Sequence, residues 1–172
     1  MMGTDRKDIR ETIAMSGQYS YEYPRPMVTV DAVVFTERAD KREVLLIERK
    51  NDPFAGAWAL PGGFVETDET LEAAVVRELA EETGLTGVTL EQFHSFGDPG
   101  RDPRGRNITV AYAGVVDWRA CTPKAADDAA AVRWFPLDAL PPLAFDHAII
   151  VEYALRWLDE AGRTPAQGKG RT

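Results

Sequence analysis

The chain reads as an α/β/α sandwich built on a mixed β-sheet. Three observations lead there. Runs of alternating, β-branched residues recur along the chain, separated by clusters of Gly, Pro, Asp and Asn. Two segments, residues 69–82 and 147–158, instead repeat apolar residues at helical spacing. One run, residues 44–49, is apolar on both faces and so belongs inside a sheet covered on both sides.

Taken in order, residues 1–25 form a polar N-terminal arm, with Ile9, Ile13 and Met15 placed for a short helix and Tyr21 to Pro26 as a stiff extended lead-in. The folded domain covers residues 26–160. Residues 28–35 make the first strand, 36–42 a charged loop and 44–49 the central strand. Asn51-Asp52-Pro53 opens a loop, residues 57–60 form a short strand, and Pro61-Gly62-Gly63 is a turn. Beyond the first helix, residues 88–96 form a strand. Residues 97–106 are turn residues that carry Arg101, Arg104 and Arg106. Strands at 107–116 and 131–135 flank a long loop containing Asp127-Asp128. The terminal helix, residues 147–158, follows a turn at 136–142. Residues 161–172 are a Gly/Pro/basic tail of disordered composition.

The first helix obeys local rules at its start. Thr67 and Asp68 suit an N-cap, and Glu69 and Glu72 place negative charge where the helix dipole favours it. Leu71, Val75 and Leu79 form a buried stripe, and Gly84 supplies a left-handed stop. Its far end breaks the rules. Glu78, Glu81 and Glu82 share one face at i, i+3 and i+4, near the end where the dipole disfavours anions. Such like-charge pairs cost roughly 0.2–0.5 kcal/mol each. A solvated acidic face is one reading. The other is a hard divalent cation, which turns the repulsion into coordination.

The spacing bears on that choice. Gly63, Glu69, Arg77-Glu78-Leu79, Glu81-Glu82 and Gly84-Leu85 resemble the complete signature of the Nudix hydrolase family. The preceding Trp58-Ala-Leu-Pro-Gly-Gly-Phe64 is similar to the run before that signature. The resemblance extends over residues 26–160 and implies the same sandwich architecture. It also implies hydrolysis of a nucleoside diphosphate linked to another group, with Mg²⁺ or Mn²⁺ as cofactor. Carried over by position, Glu78 and Glu82 are metal ligands. Glu81 is a ligand or a water-activating base, and the Gly62 carbonyl is a further ligand. Gly63, Glu69 and Arg77 support the loop and helix. Asp127 or Asp128 are alternative bases from a later loop.

Substrate contacts are expected elsewhere. Arg101, Arg104 and Arg106 offer guanidinium forks to phosphates or a terminal ribose. Phe54, Trp58, Phe145 and Tyr23 lie in or beside predicted loops as candidate base platforms, although most aromatics are core. His94, His147 and Cys121 show no activating or metal-ligand pattern and read as structural or surface residues. The stretch from Phe96 to Tyr112 resembles bacterial ADP-ribose pyrophosphatases, implying ADP-ribose as substrate and AMP and ribose 5-phosphate as products. Nucleoside triphosphate pyrophosphatases and nucleotide-sugar hydrolases share the signature. An ADP-ribose-sensing domain without catalysis is the non-enzyme alternative, set against the intact signature.

Composition limits the rest. With 172 residues, 44% hydrophobic and 28% charged, the sequence suits one globular domain. A net charge of −8 argues against a nucleic-acid face. A lone cysteine, no apolar run of spanning length and a polar N-terminus point to a cytoplasmic protein without a membrane partner. Homodimers are frequent among proteins of this kind, so a homodimer is the expected assembly.

Overall fold

The computed structural model describes residues 21–125 and 129–160. Most of the N-terminal arm, all of the tail, and Asp127 and Asp128 lie outside the described residues. Seven strands form one mixed sheet: β1 (Met27–Arg38), β2 (Lys41–Arg49), β3 (Trp58–Ala59), β4 (Gly62–Phe64), β5 (Glu91–Phe96), β6 (Asn107–Val115) and β7 (Ala129–Pro136). Two helices, α1 (Leu71–Thr83) and α2 (His147–Glu160), cover its faces, and a 3₁₀ turn lies at Trp118–Ala120.

The sheet splits where the chain needs room. β6 runs parallel to β1 along one edge, from Met27↔Asn107 to Phe35↔Val115. The other edge of β1 is shared: β2 takes Phe35 to Arg38, and β4 takes Thr29 to Asp31. β2 likewise pairs β7 along one edge and shares the other between β1 and β3. The two central strands therefore diverge, and the β3–β4 segment fills the gap, delivering Gly62 and Gly63 to the middle of the sheet.

Alternation along β1 explains both layers. Val30, Ala32 and Val34 point to one face and pack, with Leu45, Val110 and Tyr112, on Ala74, Val75 and Leu79 of α1. Val33 and Phe35 point to the other and pack, with Leu46 and Ala113, on Ile150, Val151, Ala154 and Leu158 of α2. The expected α/β/α sandwich is the observed fold. Among the described residues no helix is long and apolar enough to cross a membrane.

Three local expectations need correction. Residues 36–42 are not a loop: β1 and β2 continue as a hairpin whose two-residue turn places Ala39 (φ 51°) and Asp40 (φ 61°) in the left-handed region. That geometry matches strand twist, and the Arg38–Glu43 ion pair at 2.9 Å and Thr36 Oγ1 donating to Val116 O at 2.8 Å secure it. The first helix is capped by Thr70, whose Oγ1 accepts from Ala73 N at 3.2 Å, so Glu69 lies outside the helix. Finally, Gly62–Phe64, read as the end of a turn, is strand β4, because the free edge of β1 recruits it.

Candidate active site

The site forms where the start of β4 meets the last two turns of α1. Arg77 organises one half. Its Nε and Nη2 donate to the two oxygens of Glu69 at 3.0 and 2.7 Å, and Nη2 also reaches Phe64 O at 3.1 Å. This pair holds the Glu69 carboxyl near pH 2 and raises the Arg77 guanidinium above its ordinary value. Nη1 of the same guanidinium donates to Glu78 at 2.8 Å and Glu81 at 3.0 Å. The repulsion on the acidic face is thus partly offset by a side chain from the same helix.

Glu82 receives no such help. It is buried, and the Gly62 N–H donates to its Oε2 at 2.9 Å. Burial pushes its carboxyl up to about 8, reinforced by the carboxylates of Glu78 and Asp31 and opposed by the Gly62 bond and by Arg49. Burial also raises Glu78, against the pull of Arg77. Gly63 leaves room for the Glu78 carboxylate: a Cβ there would stand 2.3 Å from Oε1 and displace it.

Among the described residues, no three His, Cys, Asp or Glu side chains already converge as a metal cage. The donor set nevertheless fits a hard divalent ion. It consists of carboxylate oxygens in anionic excess, a pocket only glycine can line, and a buried carboxylate that needs a cation to ionise. Glu78, Glu82 and, with a side-chain rotation, the half-exposed Glu81 are the groups that could hold it.

A linkage effect follows. The folded chain binds a proton at Glu82 more tightly than the unfolded chain does, so this group's contribution is full below about pH 4.5 and is lost as pH rises through about 8. Glu69 and Asp102 have the opposite sign: both are held near pH 2, so their contribution fades only on acidification towards that value. His147, whose proton affinity burial lowers, opposes this below its ordinary value of 6.5. Chelator-treated protein should therefore lose Tm between pH 7 and pH 8, and added Mg²⁺ should restore more Tm at pH 8 than at pH 7. Thermal denaturation at both pH values, with and without metal, checks this. A metal-free Tm that climbs across that window would contradict it.

Two adjoining cavities flank the glycines. The larger, about 360 Å³, is lined by Glu78, Glu82, Arg77, Arg49, Phe64 and Arg104 among others. The smaller is lined by Asp31, Arg49, Arg101, Arg104, Phe145 and His147 among others. Arg104 spans both. Its guanidinium lies 4.9 Å from the Phe64 ring centre and 5.2 Å from that of Phe145, and Asp102 grips it at 2.7 Å. Arg49 lies 4.9 Å from the Phe145 ring, which meets Phe54 edge-on at 4.8 Å.

The remaining candidates separate. Phe145 lines the smaller cavity and meets Phe54, which itself lines neither. Trp58 packs on Phe135 at 4.6 Å within the α2-side core and lines neither cavity. Tyr23 is 71% exposed, and Arg106 also lines neither cavity. Arg101 is buried in a two-pronged pair with Asp146, at 2.8 and 2.6 Å, and its guanidinium is already committed. Sequence reasoning did not single out Arg49, Asp31 or Asp102, and it set His147 aside. Asp31 had a signal: a carboxylate inside an apolar alternating strand needs a buried partner. It finds Thr109 Oγ1, which donates at 2.6 Å.

Known proteins resemble this chain in sequence and fold. A family model described as the NUDIX domain matches residues 25–158. The ADP-ribose pyrophosphatase of Methanocaldococcus jannaschii is 46% identical over 135 residues, covering 78% of this chain and 76% of that protein. The ADPR responsive transcriptional repressor NtrR of Acinetobacter baylyi is 38% identical over 149 residues, 84% of this chain but 59% of the repressor. The crystal structure of the NUDIX domain of Shewanella oneidensis NrtR, complexed with ADP ribose, superposes with a TM-score of 0.74 at 38% identity, covering 86% of this chain and 98% of that one. Members of the family are mostly hydrolases and typically depend on divalent metal. With its signature helix, its split sheet and a family match over residues 25–158, this chain belongs to the Nudix family.

Proposed function

We propose that the chain is a metal-dependent diphosphatase that hydrolyses ADP-ribose to AMP and ribose 5-phosphate. The observation that carries this reading is the placement of a buried, ionisable Glu82 beside Glu78, at a cavity whose other wall is arginine and phenylalanine. Water supplies the oxygen that forms a new P–O bond, and the bridging P–O bond breaks. Mg²⁺ or Mn²⁺, when bound, supplies positive charge against the diphosphate oxygens and Lewis acidity towards water. The residues of the chain do the rest. Glu78 and Glu82 hold the ion, with Glu81 as further ligand or base, and Arg77 with Glu69 fixes the helix face that carries them. Arg49 and Arg104 offer fixed cations to an anionic bridge, and the Phe54–Phe145 pair offers a stacking surface for a base.

The two arginines of the 97–106 loop should behave differently. Arg104→Ala should raise KM for ADP-ribose about 10-fold with kcat little changed, since it removes ground-state binding. Arg101→Ala should instead cost about 3 kcal/mol of stability, because it takes the cation from Asp146, whose side chain is 16% exposed, and from neighbouring Asp31. Asp102 without the Arg104 side chain, by contrast, still accepts from Asn107 Nδ2 and the backbone N–H of residue 104. Steady-state kinetics and chemical denaturation of the two variants test this. Equal stability and equal KM effects would remove the distinction.

The functional test is hydrolysis of ADP-ribose, NADH, diadenosine polyphosphates, nucleotide sugars and nucleoside triphosphates with Mg²⁺, Mn²⁺ or chelator. Metal-dependent release of AMP and ribose 5-phosphate, with ADP-ribose best by kcat/KM, is expected. Preference for a triphosphate or a nucleotide sugar would retain the hydrolase and discard the substrate. A second reading, an ADP-ribose sensor, is favoured by the likeness to the Acinetobacter repressor and to the Shewanella domain complexed with ADP ribose. Binding of ADP-ribose without turnover of any substrate would select it.

A further inference from the structure

His147 opens α2 and is buried. Its Nδ1 accepts the Leu60 N–H at 2.9 Å, across 87 residues of sequence. Leu60 lies in the two-residue link between β3 and β4, directly before Pro61 and Gly62. Pro61 O accepts from Ala32 N at 2.8 Å, and Gly62 N–H donates to Glu82 at 2.9 Å. The link is thus anchored at three successive points, by a side chain of α2, by the backbone of β1 and by a side chain of α1. Nε2 of His147 faces Asp31 Oδ1 at 3.5 Å. Asp31 Oδ1 itself would stand 2.8 Å from a Cβ at Gly62, so Asp31 and Gly62 are in contact. Next to His147, Asp146 grips Arg101 of the 97–106 loop.

We propose that His147 is a positioning residue of the metal-dependent site: by accepting the Leu60 N–H it fixes the Leu60–Gly63 segment, and through the Gly62 amide it fixes the buried Glu82 carboxylate. The neutral ring has one acceptor and one donor: Nδ1 takes the backbone proton of Leu60, and Nε2 lies 3.5 Å from Asp31 Oδ1. Burial lowers the imidazole's proton affinity, which keeps Nδ1 free to accept. An apolar residue of similar size would leave the Leu60 N–H unpaired in the interior, and the cheapest relief is a shift of this short link. Such a shift moves Gly62, and with it the hydrogen bond that its N–H donates to Glu82. His147 acts at second hand, as outer partners of metal ligands do.

Two amide substitutions separate this role from packing. In His147→Asn the side-chain oxygen falls near the place of Nδ1 and can still accept from Leu60. In His147→Gln the amide extends to the place of Nε2, towards Asp31, and leaves Leu60 unpaired. His147→Gln should weaken Mn²⁺ binding to the substrate-free protein and lower kcat, each by about 10–100-fold, with KM little changed. Its Leu60 amide should exchange with solvent faster by a similar factor. His147→Asn should stay close to wild type in all of these. A Gln variant that equals or exceeds the Asn variant, or unaltered Leu60 exchange in the Gln variant, would overturn the proposal. Should either variant fail to fold, ¹⁵N spectra of the wild-type imidazole decide: unprotonated Nδ1 supports the role, and protonated Nδ1 overturns it. The inference rests on the metal-dependent reading of the site. Its Mn²⁺ and exchange readouts use no substrate, so a wild-type protein that binds Mn²⁺ but leaves ADP-ribose intact defeats the substrate proposal alone.

Discussion

Glu82→Gln should lower kcat for ADP-ribose by about 10²–10⁴-fold, the equivalent of roughly 3–5 kcal/mol at the transition state, and leave the fold intact. The substitution keeps shape and keeps one bond: the amide oxygen of glutamine can accept the Gly62 N–H that Glu82 accepts at 2.9 Å. What it removes is charge. In the wild-type chain that charge is costly, since burial pushes the carboxyl up to about 8. The same change should therefore raise Tm in chelator at pH 8 and flatten the metal-free pH dependence of stability. Lower turnover with higher metal-free stability is a signature that misfolding cannot imitate. Wild-type kcat in this variant at saturating Mg²⁺ would remove Glu82 from the metal site. A fall in Tm at pH 8 would show that its role is structural.

Much of this site was legible because its spacing is local. Glu69, Arg77, Glu78, Glu81 and Glu82 lie within four turns of chain, and a helix fixes which of them share a face. The physical puzzle that the helix posed, three carboxylates at its unfavourable end, has a partial local answer in Arg77 and a remainder in Glu82. The helix start was misplaced by a few residues because Thr67, Asp68 and Thr70 are all competent caps, and the packing of Leu71 and Val75 selects among them.

Other parts were hidden for a different reason. Charged residues at 36–42 read as loop, yet an exposed hairpin end tolerates them because cross-strand pairs such as Arg38–Glu43 neutralise one another. β4 has two glycines and no strand propensity; its conformation comes from the unpaired edge of β1. The second half of the site depends on contacts no local pattern encodes. Arg101 meets Asp146 across 45 residues, and Leu60 meets His147 across 87. An arginine-rich loop suggested free phosphate ligands, but the structure commits the Arg101 side chain to Asp146 and leaves the cavity-lining cationic role to Arg104 and Arg49.

The two glycines at the β4 start should fail in opposite ways when given a side chain, and the contrast tests how the fold and the site share them. A Cβ at Gly62 would meet Val30 O at 2.1 Å and Asp31 Cα at 3.0 Å. Those are backbone atoms in the middle of the most buried strand, which cannot yield. β4 must move away instead, losing its pairing with β1. Gly62→Ala should cost about 3 kcal/mol or more, towards the upper end of overpacking penalties. A Cβ at Gly63 meets only the carboxylate of Glu78, with Oε1 at 2.3 Å and Cδ at 2.5 Å. That is the tip of a flexible side chain, which can rotate aside at the expense of its bond to Arg77. Gly63→Ala should therefore fold with a Tm near wild type and lose kcat by about 10²-fold, since a displaced ligand disables the site without unfolding it. Thermal denaturation and ADP-ribose turnover of both variants give the comparison. Wild-type turnover in Gly63→Ala would mean that Glu78 works from another position, and wild-type stability in Gly62→Ala would mean that the β1–β4 contact is looser than the geometry describes.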